Sequence, residues 1–165
     1  MDKPKRPAGK RYWLMKSEPT TFSIDDLANA PDQTTYWDGV RNYQARNLLR
    51  DDIHVGDEVL FYHSACAEPA VVGTATVVRA GYPDFTAWDQ ASDHPDEKST
   101  PENPRWYMVD IKLKEKLTRA VTLSELRTHP ALEELPLLRK GSRLSVQPVA
   151  ANHFTYILKL AKKKA

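Results

Sequence analysis

Four short segments of the 165-residue chain combine aromatic and polar side chains more densely than a core alone requires. The longest is Trp37-Asp38-Gly39-Val40-Arg41-Asn42-Tyr43-Gln44-Ala45-Arg46-Asn47, in which eleven residues hold two aromatics, two asparagines, a glutamine, two arginines and an aspartate. The others are Trp13 with Lys16-Ser17-Glu18-Pro19, then Phe61-Tyr62-His63-Ser64, and Arg143-Leu144-Ser145-Val146-Gln147-Pro148-Val149. Carboxamides present paired donors and acceptors that match the edge of a nucleobase, and aromatic faces stack on its plane. Arginine adds phosphate contact or stacking. Composition alone leaves a second reading open, in which the long segment is a solvent-exposed helix start with Asn and Asp as caps.

Catalytic constellations are harder to find. A nucleophile needs a base within hydrogen-bond reach and a third group to orient that base. His63 and Ser64 are adjacent, so on a strand their side chains point to opposite faces. Cys66 stands alone in the chain, without an evident activating neighbour and without a partner for an internal disulfide. The five histidines (54, 63, 94, 129 and 153) show no metal-ligand spacing, and the paired cysteines of zinc deaminases are absent. No glycine-rich phosphate loop is present. The expectation is a binding protein rather than an enzyme, with no metal and no cofactor.

Charge narrows the mode of binding. Residues 1–16 carry six Lys/Arg against Asp2, and residues 159–165 carry four lysines and no acid. The body between them has 14 basic and 21 acidic residues, a net of −7. Such a body does not coat duplex DNA through a broad basic face, so recognition is expected from a local site. No stretch reaches the ~18 consecutive apolar residues of a membrane span, and the basic start lacks the apolar segment of a secretory signal. A cytoplasmic location is expected in a bacterium and a nuclear one in a eukaryote.

The elements that position these segments follow from local pattern. Residues 11–15, RYWLM, read as a buried first strand. Ser23 followed by Asp26 marks a capped helix start, and Thr122 with Glu125 marks a second. The region from Val40 to Arg50 reads as a loop entering a short helix, and Val55–Glu58 as a turn into a strand at Val59–His63. Residues 70–79 are β-branched and strand-like, with Gly73 marking a bulge or a close approach. Gly81–Pro104, with six acids and one lysine between Asp84 and Glu102, reads as a long surface loop to which the sequence assigns no function, although its like charge would keep nonspecific nucleic acid away. Trp106–Leu113 alternates as a strand, and Pro130 and Pro136 break the helical stretch after Thr122. Ser142 to Val149 leads toward a final strand at Phe154–Leu160. Five or six strands with short helices and no βαβ regularity argue for a barrel-like α+β domain. Residues 1–10 read as a basic tail, 11–160 as the domain, and 161–165 as a second basic tail.

In order and spacing, Lys16–Pro19, Trp37–Asn47 and Phe61–Ser64 resemble the EVE domain, the family of the thymocyte nuclear protein, over residues 11–160. The resemblance implies a PUA-like fold, a curved mixed β-barrel with flanking helices related in architecture to YTH and ASCH domains. It also implies binding of modified bases in nucleic acid, methylated or hydroxymethylated cytosine among them. Carried over by position, the pocket draws on Lys16, Ser17, Glu18, Trp37, Asn42, Tyr43, Phe61, Tyr62, His63, Ser64, Ser145 and Gln147, with Arg46 and Asn47 nearby.

Within that set Trp37 and Tyr43 are the expected stacking partners, while Trp13, Trp106 and Tyr107 are expected in the core. Stacking a base is worth roughly 1–3 kcal/mol and extruding it from a duplex costs a few, so one aromatic only cancels the cost. Polar contacts must supply the rest. Asn42 is the expected partner of the base edge, with Ser17, Ser64, Ser145 and Gln147 behind it. Glu18 either accepts from an exocyclic amine such as cytosine N4 or pairs with Lys16 or an arginine. Arg41, Arg46 and Arg50 are expected to contact phosphate, unless Asp38, Asp51 or Asp52 claims them. The expected function is a monomeric reader of one flipped, modified base in DNA or RNA. The alternatives are an RNA-binding accessory module acting on tRNA and a nucleotide-processing enzyme on the same fold.

Overall fold

The structure, a computed structural model, describes residues 9–141 and 143–163. Most of the N-terminal basic tail, Ser142, and residues 164–165 lie outside the described residues. Six strands form one mixed sheet: β1 (Tyr12–Ser17), β2 (Thr34–Tyr36), β3 (Glu58–His63), β4 (Ala70–Pro83), β5 (Tyr107–Thr122) and β6 (Val146–Val149), in the order β2-β5-β4-β3-β1-β6. Only β1 and β3 run parallel; the other four pairings are antiparallel. This is the expected α+β architecture, with the sheet left open between β2 and β6.

Alternation along the strands gives the sheet two buried faces. Trp13 and Met15 of β1, with Val59 and Phe61 of β3, join one apolar cluster, whereas Leu14, Leu60 and Tyr62 join the other. The first cluster is closed by α1 (Ile24–Asn29) and α2 (Tyr43–Asn47), which runs on into a wider turn at Leu48–Asp52. The second is closed by α3 (Leu123–Leu126), two 3-10 turns at Pro130–Leu132 and Pro136–Leu138, and α4 (Ala151–Lys162).

Capping chemistry sets the helix starts. Ser23 Oγ accepts from the Asp26 N–H at 3.1 Å and Asp26 Oδ2 accepts from the Ser23 N–H at 2.8 Å, a reciprocal box that turns Ile24 and Leu27 into the core. At Thr122 the hydroxyl accepts from the Glu125 N–H at 3.1 Å, but the Glu125 carboxylate pairs with Arg119 instead of returning to the cap. Gly73 fits both senses of its expectation. Pairing slips on either side of it, and a Cβ there would come 2.5 Å from the Ile24 Cδ1.

Two expectations are corrected. Phe154–Leu160 is not a strand but the centre of α4, because Phe154, Ile157, Leu160 and Ala161 are buried at helical spacing. The last strand is β6, one segment earlier. Residues 81–104 are not a simple surface loop either: β4 extends to Pro83, and beyond it Asp84, Thr86, Ala87 and Ser99 are buried. Among the described residues no helix is long and apolar enough to cross a membrane.

Candidate functional site

Where β1 and β3 end side by side, a cleft of about 430 Å³ opens on the face of the first cluster. One wall is the stretch after β1: Lys16, Ser17 and Glu18, followed by Thr21 and Phe22. The opposite wall is the chain leaving β2, from Thr35 to Arg41. Asp93 and His94 close one end and Ser145 another. The Lys16 N–H donates to the Ser145 carbonyl at 2.8 Å, which carries the β1–β6 pairing on to the rim. Ser17 Oγ donates to the Phe22 carbonyl at 2.5 Å and holds the first wall in its bend.

Trp37 is both core and wall. It is 7% exposed, and its ring stands edge-on to Phe61 at 5.5 Å and 89°. Phe61 itself is fully buried beneath it. Next in sequence, Tyr36 remains 44% exposed at the lip of the cleft and meets the exposed ring of Phe85 at 5.3 Å.

The loop after β4 builds the far end through one buried carboxylate. Asp84 Oδ2 accepts from the Gly39 N–H at 2.8 Å and from Arg41 at 3.1 Å, while Oδ1 accepts from the Thr86 N–H at 2.9 Å and hydroxyl at 2.5 Å. Burial disfavours the charged form, but the hydrogen bonds from Thr86, Gly39 and Arg41 prevail and hold the carboxyl below its ordinary 3.8. Arg41 also donates to the His94 carbonyl at 2.8 Å. The His94 imidazole in turn lies 2.9 Å from both Asp38 Oδ2 and Thr86 Oγ1. Gly39 has φ +79°, and a Cβ there would approach the His94 ring to 2.9 Å. Glycine at this position therefore lets the imidazole close over the wall.

The residues singled out in the sequence divide into three groups. Lys16, Ser17, Glu18, Trp37, Arg41 and Ser145 line the cleft. Tyr62 and Ser64 line a second cavity on the other sheet face, together with Lys16. The remainder line neither cavity. Asn42 caps α2, its side-chain oxygen accepting from the Ala45 N–H at 3.0 Å. Tyr43 is 52% exposed and stacks on Trp106 at 4.8 Å, and the Arg46 guanidinium lies 4.9 Å from the centre of its ring. Gln147 is buried and donates to the Leu144 carbonyl at 2.9 Å, bracing the turn that carries Ser145.

His63 Nε2 accepts from the Ile24 N–H at 3.0 Å at the start of α1. Burial holds this imidazole below its ordinary 6.5, only partly opposed by Asp25, and so preserves the neutral acceptor. Arg46 donates to the Arg105 carbonyl at 2.7 Å, and Arg50 forms a two-point pair with Asp51 at 2.8 and 2.9 Å. Of the three arginines expected at phosphate, Arg41 reaches the cleft wall, where its guanidinium ties down the loop after β4.

The sequence reading missed Asp93 and His94 on the wall and Asp84 behind it; Asp84 meets Gly39 and Arg41, and His94 meets Asp38, only across more than forty residues. A signal was present in Trp88 and Trp106: large aromatics flanking an acidic stretch call for a folded loop rather than a solvated one. No group of three or more His, Cys, Asp or Glu among the described residues could hold a metal ion.

The EVE domain profile matches residues 11–160. The chain belongs to the EVE domain family. Thymocyte nuclear protein 1 of Gallus gallus is 41% identical over 169 residues, covering 93% of this chain and 69% of that protein. The human protein of the same name is 41% identical over 170 residues, covering 93% and 75%. Among solved structures, a hypothetical protein from Leishmania major superposes with a TM-score of 0.89 at 48% identity, covering 95% of this chain and 98% of that one. The human THYN1 protein in complex with DNA containing 5-methylcytosine superposes with a TM-score of 0.88 at 40% identity, covering 94% and 100%. An ASCH protein from Zymomonas mobilis, 8% identical with a TM-score of 0.52, shares the fold alone. The EVE domain here therefore has the PUA-like fold.

Proposed function

We propose that this EVE domain binds nucleic acid and takes one base, turned out of its stack, into the cleft between Lys16–Glu18 and Thr35–Arg41. The observation that carries the reading is the pairing of apolar surface with acceptors in one small space. Phe22, Trp37 and Val40 offer surface to a ring, and Glu18, Asp38 and Asp93 offer carboxylates around it. About 430 Å³ lies within the roughly 300–1,000 Å³ usual for small-molecule sites, room for one nucleobase with its sugar. Cytosine presents an exocyclic N4 amine that a carboxylate accepts from, and a methyl at its C5 adds apolar area that suits the tryptophan wall. Kinship with a protein whose structure holds DNA containing 5-methylcytosine supports the same ligand class.

The test is titration of labelled DNA duplexes that carry one 5-methylcytosine or one cytosine at the same position. Tighter binding of the modified duplex, with the preference reduced by Glu18→Gln, is the expected result. Equal affinity for both duplexes, unchanged by Trp37→Ala at moderate salt, would overturn it. Binding confined to RNA would move the reading to the RNA-binding module.

A further inference from the structure

Across the end of β1, on the other face of the sheet, lies the second cavity of about 500 Å³. Its lining is of one sign. Lys16, Arg127, Arg139, Lys140 and Arg143 surround it, and no carboxylate joins them among the described residues. Arg139, Lys140 and Arg143 form a short basic cluster in the segment that leads into β6, and the fold adds Lys16 from β1 and Arg127 from the end of α3. Four of these cations belong to the body of net −7 and Lys16 borders it, so the cavity is a place where an anion is well received. Tyr62 and Ser64 add hydroxyls at the same surface, and Leu123 and Leu137 add an apolar floor.

The two cavities are neighbours through a thin septum. Lys16 lines both. Arg143 lines the second and Ser145, two residues on, lines the first. Ser64 lines the second while its N–H donates at 3.0 Å to the carbonyl of Ser17, which lines the first. In any nucleotide the base and its phosphate are joined through one sugar. A strand with its base in the first cleft must therefore carry phosphates past its rim, and the Lys16 side leads into the cationic cavity.

We propose that the second cavity is the backbone site of the same DNA strand, with Arg139, Lys140 and Arg143 neutralising the phosphodiesters that flank the base held in the first cleft. This rests on the base-binding reading and extends it to the phosphates. It also revises the sequence expectation: the phosphate-binding cations are those gathered from the segment before β6, rather than the string at Arg41, Arg46 and Arg50. The Tyr62 hydroxyl at the edge of this site, which burial pushes up to about 12, is a proton donor at neutral pH, as an unshifted tyrosine would also be.

The experiment measures affinity against salt concentration for the full chain and for R139Q/K140Q/R143Q, with the 5-methylcytosine duplex and its unmodified twin. All three side chains are exposed, so the fold is expected to survive, and an unchanged Tm checks this. Each phosphate contact contributes roughly 0.7 (single strand) to 0.9 (duplex) to the slope of log K against log salt. The triple variant should lose roughly 2 to 3 from the slope, bind both duplexes more weakly, and keep the wild-type preference between them. A folded triple variant with the wild-type slope overturns the backbone site even where the methyl preference persists. A wild type without methyl preference, but with a slope that the triple variant lowers, removes the base reading and leaves the cationic cavity as a phosphate site. Loss of preference together with an unchanged slope overturns both.

Discussion

The two cavities share Lys16 and little else. The first is mixed: Lys16 and Arg41 stand among Glu18, Asp38 and Asp93, and one wall is a core tryptophan. The second is cationic throughout, and its arginines and its Lys140 are exposed side chains. A mixed site discriminates, since a wrong edge leaves a buried group unpaired. A cationic site of flexible side chains attracts any phosphodiester and reads no sequence. On the two readings proposed above, specificity falls to the first cavity and grip to the second. The difference also separates what mutation should do. Changes at Trp37 or Gly39 of the first cavity act through packing and alter the fold as well as binding, whereas changes at Arg139, Lys140 and Arg143 of the second act through charge alone.

The largest effect is expected at Trp37. Trp37→Ala removes a ring packed against Phe61 and should cost about 3–5 kcal/mol of stability, read as a lowered urea midpoint. A much smaller loss would mean that the ring is not part of the core, and the contrast between the cavities would weaken. Asp84→Asn comes next. It leaves the part-buried Arg41 without its ion pair and turns an amide toward existing donors, at a cost of roughly 3 kcal/mol.

The same group sets part of the acid response. Its folded pKa lies below the unfolded value, so its contribution is fully present above about pH 4 and is lost as pH falls through the folded pKa. The Tm of the wild type should fall more steeply below pH 4 than that of Asp84→Asn. Parallel curves would show that Asp84 carries no such linkage.

Gly39→Ala forces a side chain to φ +79° and against the His94 ring. The expected cost is about 1–3 kcal/mol, with the methyl preference weakened because His94 must move off the wall. Arg50→Ala marks the low end. Arg50 pairs on the surface with its own neighbour, so stability should move by less than about 0.5 kcal/mol and the salt slope should not change. A slope change as large as that of the Arg139-Lys140-Arg143 variant would return the phosphate site to the sequence string around Arg41.

Much of the sheet was legible because its strands are long and apolar on one or both faces. β1, β3, β4 and the first half of β5 stand where alternation and β-branching put them. The cap at Ser23 was equally plain, being a local contact between residues three apart. α4 was misread for a physical reason: Ala150 stands at its N-cap with no side-chain hydrogen bond, so no start signal precedes Phe154. β2 was overlooked because it has three residues and follows Asp32 and Gln33 at positive φ.

For the candidate site the motif segments pointed to the right strand ends, but not to which side chains face the cleft. Asn42 carries the amide chemistry a base edge wants, yet the demand of an uncapped helix start is local and takes that oxygen first. Tyr43 similarly finds Trp106, sixty-three residues ahead, and turns outward. His94 reaches Asp38 and Arg41, and Lys16 and Arg127 join the Arg139–Arg143 cluster, only through long-range contacts that no spacing rule in the chain encodes.

The central claim, that one base leaves its stack to enter the Trp37 cleft, is tested most directly by 2-aminopurine placed beside the single 5-methylcytosine of a duplex. This fluorophore brightens when its neighbour unstacks. The expected result is brightening that tracks binding by the wild-type protein and persists, at higher protein concentration, with R139Q/K140Q/R143Q. Saturated binding with no change in 2-aminopurine emission would contradict the account.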